Sequence, residues 1–481
     1  MSTETKKKDL TIVHLVVILA CMFLFRLIPA PAPITPYGMA VLGIFLGLVY
    51  GWTFCGMLWP SLLGMVALAF TDYGTFTQVA VGSWGNANLF MLIVGTLACS
   101  AIGQSNSSKL IIAKLLNMNL LKGRPLVIIT ALFLISSLMG FLAGSVVTAI
   151  ILIPLTAQLF ESLGYKKGDK FVVMSVVGIL TACNLTIGMF PFLGWGLMTA
   201  ATVTASTGYA FPSGAWFVCM LAFVVMFDVC FPFLMKLCGC DFSKLQNADF
   251  AEMNKEFENG LDKRQKLVLG GMLVFILCAV TLSFLPAESI FGQFNTRVTS
   301  AGLMSVLMVF YLLVKVDGKP LLDMKEAAAN YFWDLTILFA IAILVSNVMT
   351  SEGTGISVFC ATAITPIMAK LGNIGFLAVL CIVTIFLTNV ANNMAVCFIM
   401  LNIICMMFNN GVVFNMPAAV LMVTMLSLIG IVTPASSVIG AFIHSHPGVT
   451  PTAVYKWATV TCLFSVILML VIIVPLSSIL F

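Results

Sequence analysis

Charged residues are scarce in this chain. Only 9% of its 481 residues are Asp, Glu, Lys or Arg, whereas an average soluble domain carries about a quarter. With 61% hydrophobic residues and a mean hydropathy of +1.12, the chain has too few polar side chains to cover a water-exposed surface. This shortage excludes an ordinary soluble domain and predicts a protein embedded in a lipid bilayer.

Groups that usually carry catalysis or metal binding are also few or scattered. There are three His, and the 14 Cys are spread through apolar stretches, where Cys behaves as a small hydrophobe. Cys238 and Cys240 lie close together, but no partners follow at zinc spacing. No basic face alternates with exposed aromatics, which argues against nucleic-acid binding. We therefore expect neither an enzyme nor a metal site beyond sodium.

The chain consists instead of apolar stretches of about the 20 residues needed to cross a bilayer. Backbone polar groups in lipid must be satisfied within the segment, so these stretches are predicted to be helices. The first follows Lys6–Lys8 and is interpreted as an uncleaved helix rather than a signal peptide. The predicted spans are 11–29, 38–53, 55–71, 86–104, 171–205, 215–236, 267–286, 296–314, 333–350, 413–445 and 453–480, with further long stretches at 124–162 and 372–407.

The placement of positive charge predicts the topology, because Lys and Arg accumulate in cytoplasmic loops. If 124–162 and 372–407 are re-entrant hairpins and the N-terminus is inside, 20 of the 23 Lys and Arg lie inside, all except Arg26, Arg297 and Lys370. The fold class predicted is an all-α polytopic membrane protein with about 11 transmembrane helices plus two re-entrant hairpins. Its C-terminus is expected outside. The lack of long tails suits a prokaryotic inner membrane.

Internal similarity predicts a duplication. Trp84 and Phe90 match Trp333 and Phe339 at an offset of 249, each pair being expected to open a helix. The segment that begins at Gly144 matches the one that begins at Thr388 at an offset of 244 residues. Pro191 matches Pro434 at an offset of 243 residues. Each half has an odd number of crossings, so the copies must be inverted, as in secondary transporters. The predicted domains are an N-terminal extra helix at 1–36, a first inverted repeat at 37–236, a cytoplasmic linker at 237–266 and a second inverted repeat at 267–481.

Within each repeat, small, hydroxyl, amide and proline residues interrupt apolar helices. The interruptions are Gly140–Ser145 and Thr181–Pro191 in the first half, and Thr388–Asn393 and Gly430–Ser437 in the second. They predict hairpins at 124–162 and 372–407 and broken helices at 171–205 and 413–445. Freed N–H groups at a half-helix N-terminus suit an anion, and freed carbonyls suit sodium. The alternative is that these small residues are helix-packing contacts.

Ionisable residues inside the apolar stretches are few. Asp228 is the clearest, and Arg26 and Asp334 lie near span ends. An intramembrane Asp indicates a functional site, but Asp228 precedes the basic linker closely enough for an interfacial ion pair or hydrogen bond. His444 and His446 are expected at a loop end. The broken helices carry no acidic pair, which weighs against proton exchange.

This order of scaffold helices, hairpin and broken helix, repeated in inverted form, resembles the divalent anion:sodium symporter family of the ion transporter superfamily, as a divergent member. The family carries Ser-Asn-Thr at both hairpin tips and a Thr-Pro turn in the second broken helix. Here Thr388-Asn389-Val390 keeps the Asn and Thr433-Pro434 matches directly. The first hairpin reads Gly144-Ser145-Val146, and Asn184 to Pro191 stands at the first broken helix.

The resemblance implies a homodimer in the lipid bilayer, two sodium ions per subunit, and a transport domain that slides along a scaffold. Asn389 would orient the anion with Thr388 nearby, Thr433 would offer its hydroxyl, and Pro434 would hold the turn open. Ser145 is proposed from its position, and Asn392, Asn393, Ser436 and Ser437 are added from their polarity at the same breaks. The candidate cation-binding residues are Gly144, Ser145, Asn184, Gly188, Asn389, Ala391 and Gly430.

The function predicted is secondary active transport, with sodium-coupled symport of organic, carboxylate-type anions by an elevator-type mechanism as the first hypothesis. The second is a carrier of the same fold that exchanges anions, couples to protons, or moves an inorganic anion such as sulfate. A channel or a transport-dead receptor is the third. The substrate itself cannot be read from hydroxyls and amides.

Overall fold

The computed structural model of this chain describes residues 12–105, 124–247, 261–283, 285, 288–329, 331, 333–434 and 436–481. The first eleven residues of the predicted N-terminal unit and the middle of the predicted linker lie outside this description. The structure is 79% helical. Its helices are α1 (Ile12–Leu27), α2 (Pro36–Phe54), α3 (Leu58–Leu68), α4 (Phe76–Trp84), α5 (Ala87–Gln104), α6 (Pro125–Ala143), α7 (Ser145–Ser162), α8 (Lys170–Leu185), α9 (Gly194–Thr207), α10 (Ser213–Leu237), α11 (Lys263–Ser283), α12 (Ile290–Leu313), α13 (Met324–Ala329), α14 (Trp333–Thr350), α15 (Ile356–Thr388), α16 (Asn393–Asn409), α17 (Met416–Leu426), α18 (Val438–Ser445) and α19 (Pro451–Leu480).

The chain is an all-α polytopic membrane protein. Among the described residues, nine helices are long and apolar enough to cross a membrane, or ten if α4 and α5, which meet at a 48° bend, form one span. The segment 55–71, predicted as one crossing, is instead the 11-residue α3, about 16 Å long at 1.5 Å per residue. Gly56, with a φ of +92°, keeps the chain non-helical just before it. The eleven crossings and the inverted repeats remain predictions.

Several shorter elements were not predicted from the sequence. α4 occupies a segment expected to be a loop, and a capping box between Thr75 and Gln78 starts it. Trp84 therefore ends a helix, contrary to the expectation that it opens one, whereas Trp333 does begin α14. Two-residue strands, β1 (Lys315–Val316) and β2 (Lys319–Pro320), pair antiparallel. α15 starts sixteen residues before the predicted hairpin and kinks at Gly372 (φ +66°).

Loops predicted to share a side of the membrane lie together. On one side, Lys244 Nζ donates to the Gly164 carbonyl, and the Gly168 N–H donates to the Gly448 carbonyl at 2.8 Å. On the other, the Thr35 N–H donates to the Thr354 carbonyl at 3.0 Å. These contacts are the ones expected from the distribution of Lys and Arg.

Both predicted hairpins are pairs of adjacent helices whose tips meet a broken helix. α6 and α7 join at Gly144, and α15 and α16 join at 389–392. The first break lies between α8 and α9, and the second runs from Ser427 to Ser437. The interruptions read from the sequence therefore coincide with the places where helices end.

Candidate functional site

The tip of the second hairpin is fixed into the second break by one side chain. Asn389 Oδ1 accepts hydrogen bonds from the N–H groups of Ile431 and Val432, both at 2.8 Å. Its Nδ2 donates to the carbonyls of Ile385 and Ile429, at 2.7 and 3.0 Å. Its Nδ2 also lies 3.6 Å from the Cys462 sulfur. Most hydrogen bonds of this buried amide are thus made to backbone groups. Asn389 organises the break, and its amide is not turned toward a ligand.

The neighbouring polar residues complete the same join. Thr388 Oγ1 lies 2.8 Å from both Asn393 Oδ1 and the Ser427 carbonyl oxygen. Gly430 lies so close to this pair that a Cβ there would clash with Asn393 Oδ1 and lie 2.9 Å from the Thr388 carbonyl oxygen. Asn392 caps α16, because its Oδ1 accepts from the N–H of Met394 at 2.9 Å.

Residues of the second break mainly bond to one another. Thr433 Oγ1 donates to the Asn389 carbonyl at 3.0 Å, and Ser436 Oγ donates to the Thr433 carbonyl at 2.7 Å. Ser437 donates to the Gly430 carbonyl and caps α18. Pro434 is exposed, and Ala391 is half-buried. Among the described residues, the hydroxyl and amide groups predicted to bind substrate in this half therefore bond mainly to backbone and to one another.

The first hairpin lies against the first broken helix through small residues. Ser136 Oγ donates to the Ile179 carbonyl at 2.6 Å, and a Cβ on Gly140 would lie 2.8 Å from Cys183 Cα. At the tip, Ser145 is buried, and its carbonyl lies 3.8 Å from the Cys183 thiol. Ser136 and Gly140 therefore make helix-packing contacts, which was the alternative to a binding role.

The two breaks cross each other. Asn184 Nδ2 donates to the Leu428 carbonyl at 2.8 Å, and a Cβ on Gly188 would lie 3.2 Å from Met425 Sδ. The Gly188 carbonyl accepts from the Trp216 indole at 3.1 Å. Asn184 lies in the last turn of α8 rather than in an unwound segment, which begins at Thr186. Among the candidate cation-binding residues of the first half, Gly144 and Ser145 lie at the hairpin tip. Asn184 and Gly188 lie where the two breaks cross.

A cavity of about 650 Å³ lies between α5, the first hairpin and the first break. Its inner wall includes Gly144, Thr186 and Gly194. Gly144 is the predicted cation-binding residue among the lining residues, and Gly140 and Thr186 belong to interruptions identified in the sequence. The lining residues of α5 were missed, because α5 has the sequence of a plain apolar span until its polar end at Ser100, Gly103 and Gln104. We call this space the central cavity.

Gln104 and the exposed Glu326 line the end of the central cavity formed by α5 and α13. Gln104 Nε2 donates to the Asp323 carbonyl at 3.0 Å, and the Asp323 N–H donates to Gln104 Oε1 at 2.8 Å. This reciprocal pair joins the end of α5 to the loop before α13.

Two helix N-termini end at the central cavity. In α7 the first helical bond runs from the Thr148 N–H to the Gly144 carbonyl, and in α9 from the Leu197 N–H to the Leu193 carbonyl. The N–H groups before these bonds have no partner within their helices, so both ends carry partial positive charge. Thr96, Ser100 and Thr186 add hydroxyls to the lining. The described lining holds no Lys or Arg, so a bound anion would meet dipoles and hydroxyls.

Asp228 lies on the far side of the first break from this cavity. It is fully buried, and neither carboxyl oxygen has a hydrogen-bond partner among the described residues. Ser137 is the hydroxyl nearest to the carboxyl, and the interfacial ion pair or hydrogen bond considered from the sequence stays a prediction. His446 lies at the end of α18, at a loop end as expected, and is buried and bonded to Thr156 of α7 at 3.1 Å.

No protein-family model and no curated protein matches this chain.

Proposed function

We propose that this protein is a secondary active transporter of small organic anions of the carboxylate type. The observation that carries the proposal is the central cavity, which is lined together by α5, the tip of the first hairpin and the first helix break. A carrier binds its substrate in such a space, between elements that can move relative to one another, and then changes shape.

The anionic charge of the substrate is inferred from the N-termini of α7 and α9, both of which end at the cavity. Backbone N–H groups at a helix N-terminus bind carboxylates and other oxyanions. A cavity of about 650 Å³ has room for a small organic acid and water. An inorganic anion such as sulfate would use the same groups and is separated by the test below.

Alternating access would come from movement of the two hairpins and broken helices along the remaining helices, as the resemblance to the divalent anion:sodium symporters implies. The bond from Asn184 to the Leu428 carbonyl and the seating of Asn389 in the second break support this, because they join these elements into one unit. The central cavity lies between this unit and α5.

Sodium is the first coupling ion of the proposal. The carbonyls of Asn389 and Gly430 accept side-chain hydrogen bonds from Thr433 and Ser437. Each carbonyl keeps a second lone pair that can face a cation. Proton coupling is the second candidate, because Asp228 is buried beside the first break, and its carboxyl oxygens have no hydrogen-bond partner by distance and angle among the described residues.

The test is thermal stabilisation of the purified protein by succinate, acetate and sulfate, in sodium chloride and then in potassium chloride. A ligand that binds the folded state at a hundredfold excess over its Kd stabilises by about 2.7 kcal/mol. We expect a carboxylate to stabilise the protein and to show counterflow in liposomes. Stabilisation only in sodium would support symport. Saturable uptake without counterflow, or no response to any of the three anions, would contradict the proposal.

A further inference from the structure

Asp228 lies within the membrane-spanning part of α10. It precedes Lys236 by eight residues, which places it about 12 Å along the helix from that lysine. Both of its carboxyl oxygens are buried and without a hydrogen-bond partner among the described residues. An unpaired buried carboxylate is costly, and intramembrane acids of this kind are found in ion and proton pathways.

No charged group compensates Asp228 from the helices around it. α10 packs against α6, α8, α11, α17 and α19. α6 and α17 carry no titratable side chain, and on α8 the Cys183 thiol lies within electrostatic range of the carboxyl. On α19, Phe464 packs on Phe227 and Phe231, which flank the Asp. The other titratable or charged side chains of these helices, none of them bonded to Asp228, are Lys170, Cys219, Cys230, Lys236, Lys263, Arg264, Lys266, Cys278, Tyr455, Lys456 and Cys462.

Asp228 is among the residues that line a cleft of about 400 Å³ between α6, α10 and α11. The lining that α11 contributes is apolar, and includes Leu273 and Leu277. α10 packs against α6 and α8, so we count it with the unit of hairpins and broken helices, and the cleft then lies where this unit meets α11. Movement of the unit along α11 would therefore carry Asp228 across apolar side chains.

The cleft and the central cavity share a wall. Phe141, Thr186 and Phe190 line both spaces, and the two Phe rings lie 5.3 Å apart between centroids. A turn of either ring, with the Thr186 hydroxyl beside it, would connect the carboxyl to the water of the cavity.

The Ser137 hydroxyl, beside the Asp228 carboxyl, has two possible hydrogen-bond acceptors. Ser137 lines the cleft with Asp228, and its hydroxyl donates to the Ala182 carbonyl on α8 at 3.3 Å, a long bond, while lying within reach of the Asp228 carboxyl. An ionised Asp228 carboxylate would accept a hydrogen bond from the Ser137 hydroxyl. With Asp228 protonated, the hydroxyl would keep its bond to the Ala182 carbonyl on α8. The protonation state of Asp228 would thus change how α6 is held against the first broken helix.

We propose that Asp228 binds and releases one proton in each transport cycle, and that the protonated, neutral carboxyl allows the hairpin unit to move along α11. This inference rests on the proposed carrier function. On release, the O–H bond of the carboxyl breaks and the proton passes to water of the central cavity, leaving the carboxylate to accept the Ser137 hydroxyl. Rebinding reverses these steps.

A proton fits this site better than sodium does. Sodium needs several hard oxygen ligands at once, and the described lining of the cleft offers the Asp228 carboxyl with the hydroxyls of Ser137 and Thr186. A proton needs only the carboxyl itself. Sodium at the helix breaks and a proton at Asp228 are compatible, because the two positions use different groups.

The first test needs no substrate. Infrared spectra of the purified full-length protein are titrated with alkali, for the wild type, for Asp228→Asn, and for Asp334→Asn as a control at an exposed span end. We expect a protonated-carboxyl band at neutral pH that disappears on alkalinisation, is absent from Asp228→Asn and persists in Asp334→Asn. Asp228→Glu should restore a titrating band at a shifted frequency if the Asn variant folds poorly. A band that is unchanged in Asp228→Asn overturns the proposal.

The second test uses succinate in liposomes, measured as counterflow and as uptake driven by a proton gradient. We expect Asp228→Asn to keep counterflow and to lose at least nine tenths of the acceleration by the gradient, whereas Asp334→Asn keeps both. Equal acceleration in Asp228→Asn and wild type overturns the inference while the carrier function stands. Absence of succinate counterflow in the wild type counts against the carrier function, and the infrared titration then still decides the role of Asp228.

Discussion

Asn184 donates its side-chain amide to the backbone carbonyl of Leu428, at 2.8 Å across the crossing of the two broken helices. The bond joins residues 244 positions apart. It satisfies a backbone carbonyl of the second break, two residues beyond the end of α17. One amide thus ties the last turn of α8 to the second break.

The side-chain amide of Asn389 likewise joins the tip of the second hairpin to the second break. Replacing this side chain should therefore affect both folding and transport. Asn389→Ala leaves the N–H groups of Ile431 and Val432 without their partner. Each unsatisfied buried group costs about 1–3 kcal/mol, so we expect a loss of about 3 kcal/mol or more. Membrane insertion should persist, because no span is altered, and counterflow should be abolished.

The matched control is Asn392→Ala in the same tip. Asn392 only caps α16, so its loss should cost about 1 kcal/mol and leave transport measurable. The measurements are the thermal unfolding midpoint and the counterflow rate, compared between Asn389→Ala and Asn392→Ala. Wild-type transport by Asn389→Ala would contradict the placement of the hairpin in the break.

A second prediction concerns Gly430, which permits the close approach of the hairpin tip. In Gly430→Ala the new methyl group would clash with Asn393 Oδ1 and crowd the Thr388 carbonyl. Inserting a methyl group into such packing costs about 1–3 kcal/mol. Gly270→Ala on α11 is the control, because its Cβ meets nothing within 4 Å. A lower midpoint of thermal unfolding is expected for Gly430→Ala alone, and equal midpoints would contradict the contact.

The positions of the hairpins and breaks could be predicted from the sequence because they depend on local chemistry. Gly144, Asn389 and Pro434 are residues that end or distort helices wherever they stand. Their partners could not be predicted, because the contact of Asn184 with Leu428 and that of Gln104 with Asp323 depend on how distant helices pack.

The central cavity was missed for the same reason. Its walls come from α5, the first hairpin and the loop around Tyr331, which lie far apart in sequence. The sequence drew attention to the richer polar set of the second half, where the side chains bond to one another. α4 was missed although Thr75 and Gln78 form a capping box, a local signal that could have been read.

A third prediction tests the central cavity as the anion site. Gly103 lines the cavity, and a Cβ there meets nothing within 4 Å. Gly103→Leu should therefore fold, and should gain helix propensity, while its side chain fills space a ligand would need. We expect stabilisation by succinate and succinate counterflow to be lost. Gly270→Leu, also in free space but away from the cavity, should keep both. Unchanged stabilisation in Gly103→Leu would place the anion elsewhere.

The last prediction concerns His446, which follows α18 outside the candidate spans and joins the second broken helix to the first hairpin. Its Nδ1 accepts from the Gly448 N–H at 3.0 Å, so the neutral ring carries its hydrogen on Nε2, 3.1 Å from Thr156 Oγ1. Burial lowers the pKa of His446 to about 4. A His in the unfolded chain has a pKa of about 6.5 and takes up its proton first.

The unfolded state therefore binds more protons between about pH 6.5 and pH 4. The contribution of His446 to stability is complete above pH 6.5 and is lost as the pH falls toward 4. His446→Gln keeps an acceptor for Gly448 and a donor for Thr156 but does not titrate in this range. Thermal unfolding from pH 7 to pH 4.5 should thus show a shallower decline for His446→Gln than for the wild type. Parallel declines would mean that the folded protein takes up a proton at His446 at the same pH as the unfolded chain, and would contradict the bond from the Gly448 N–H to Nδ1.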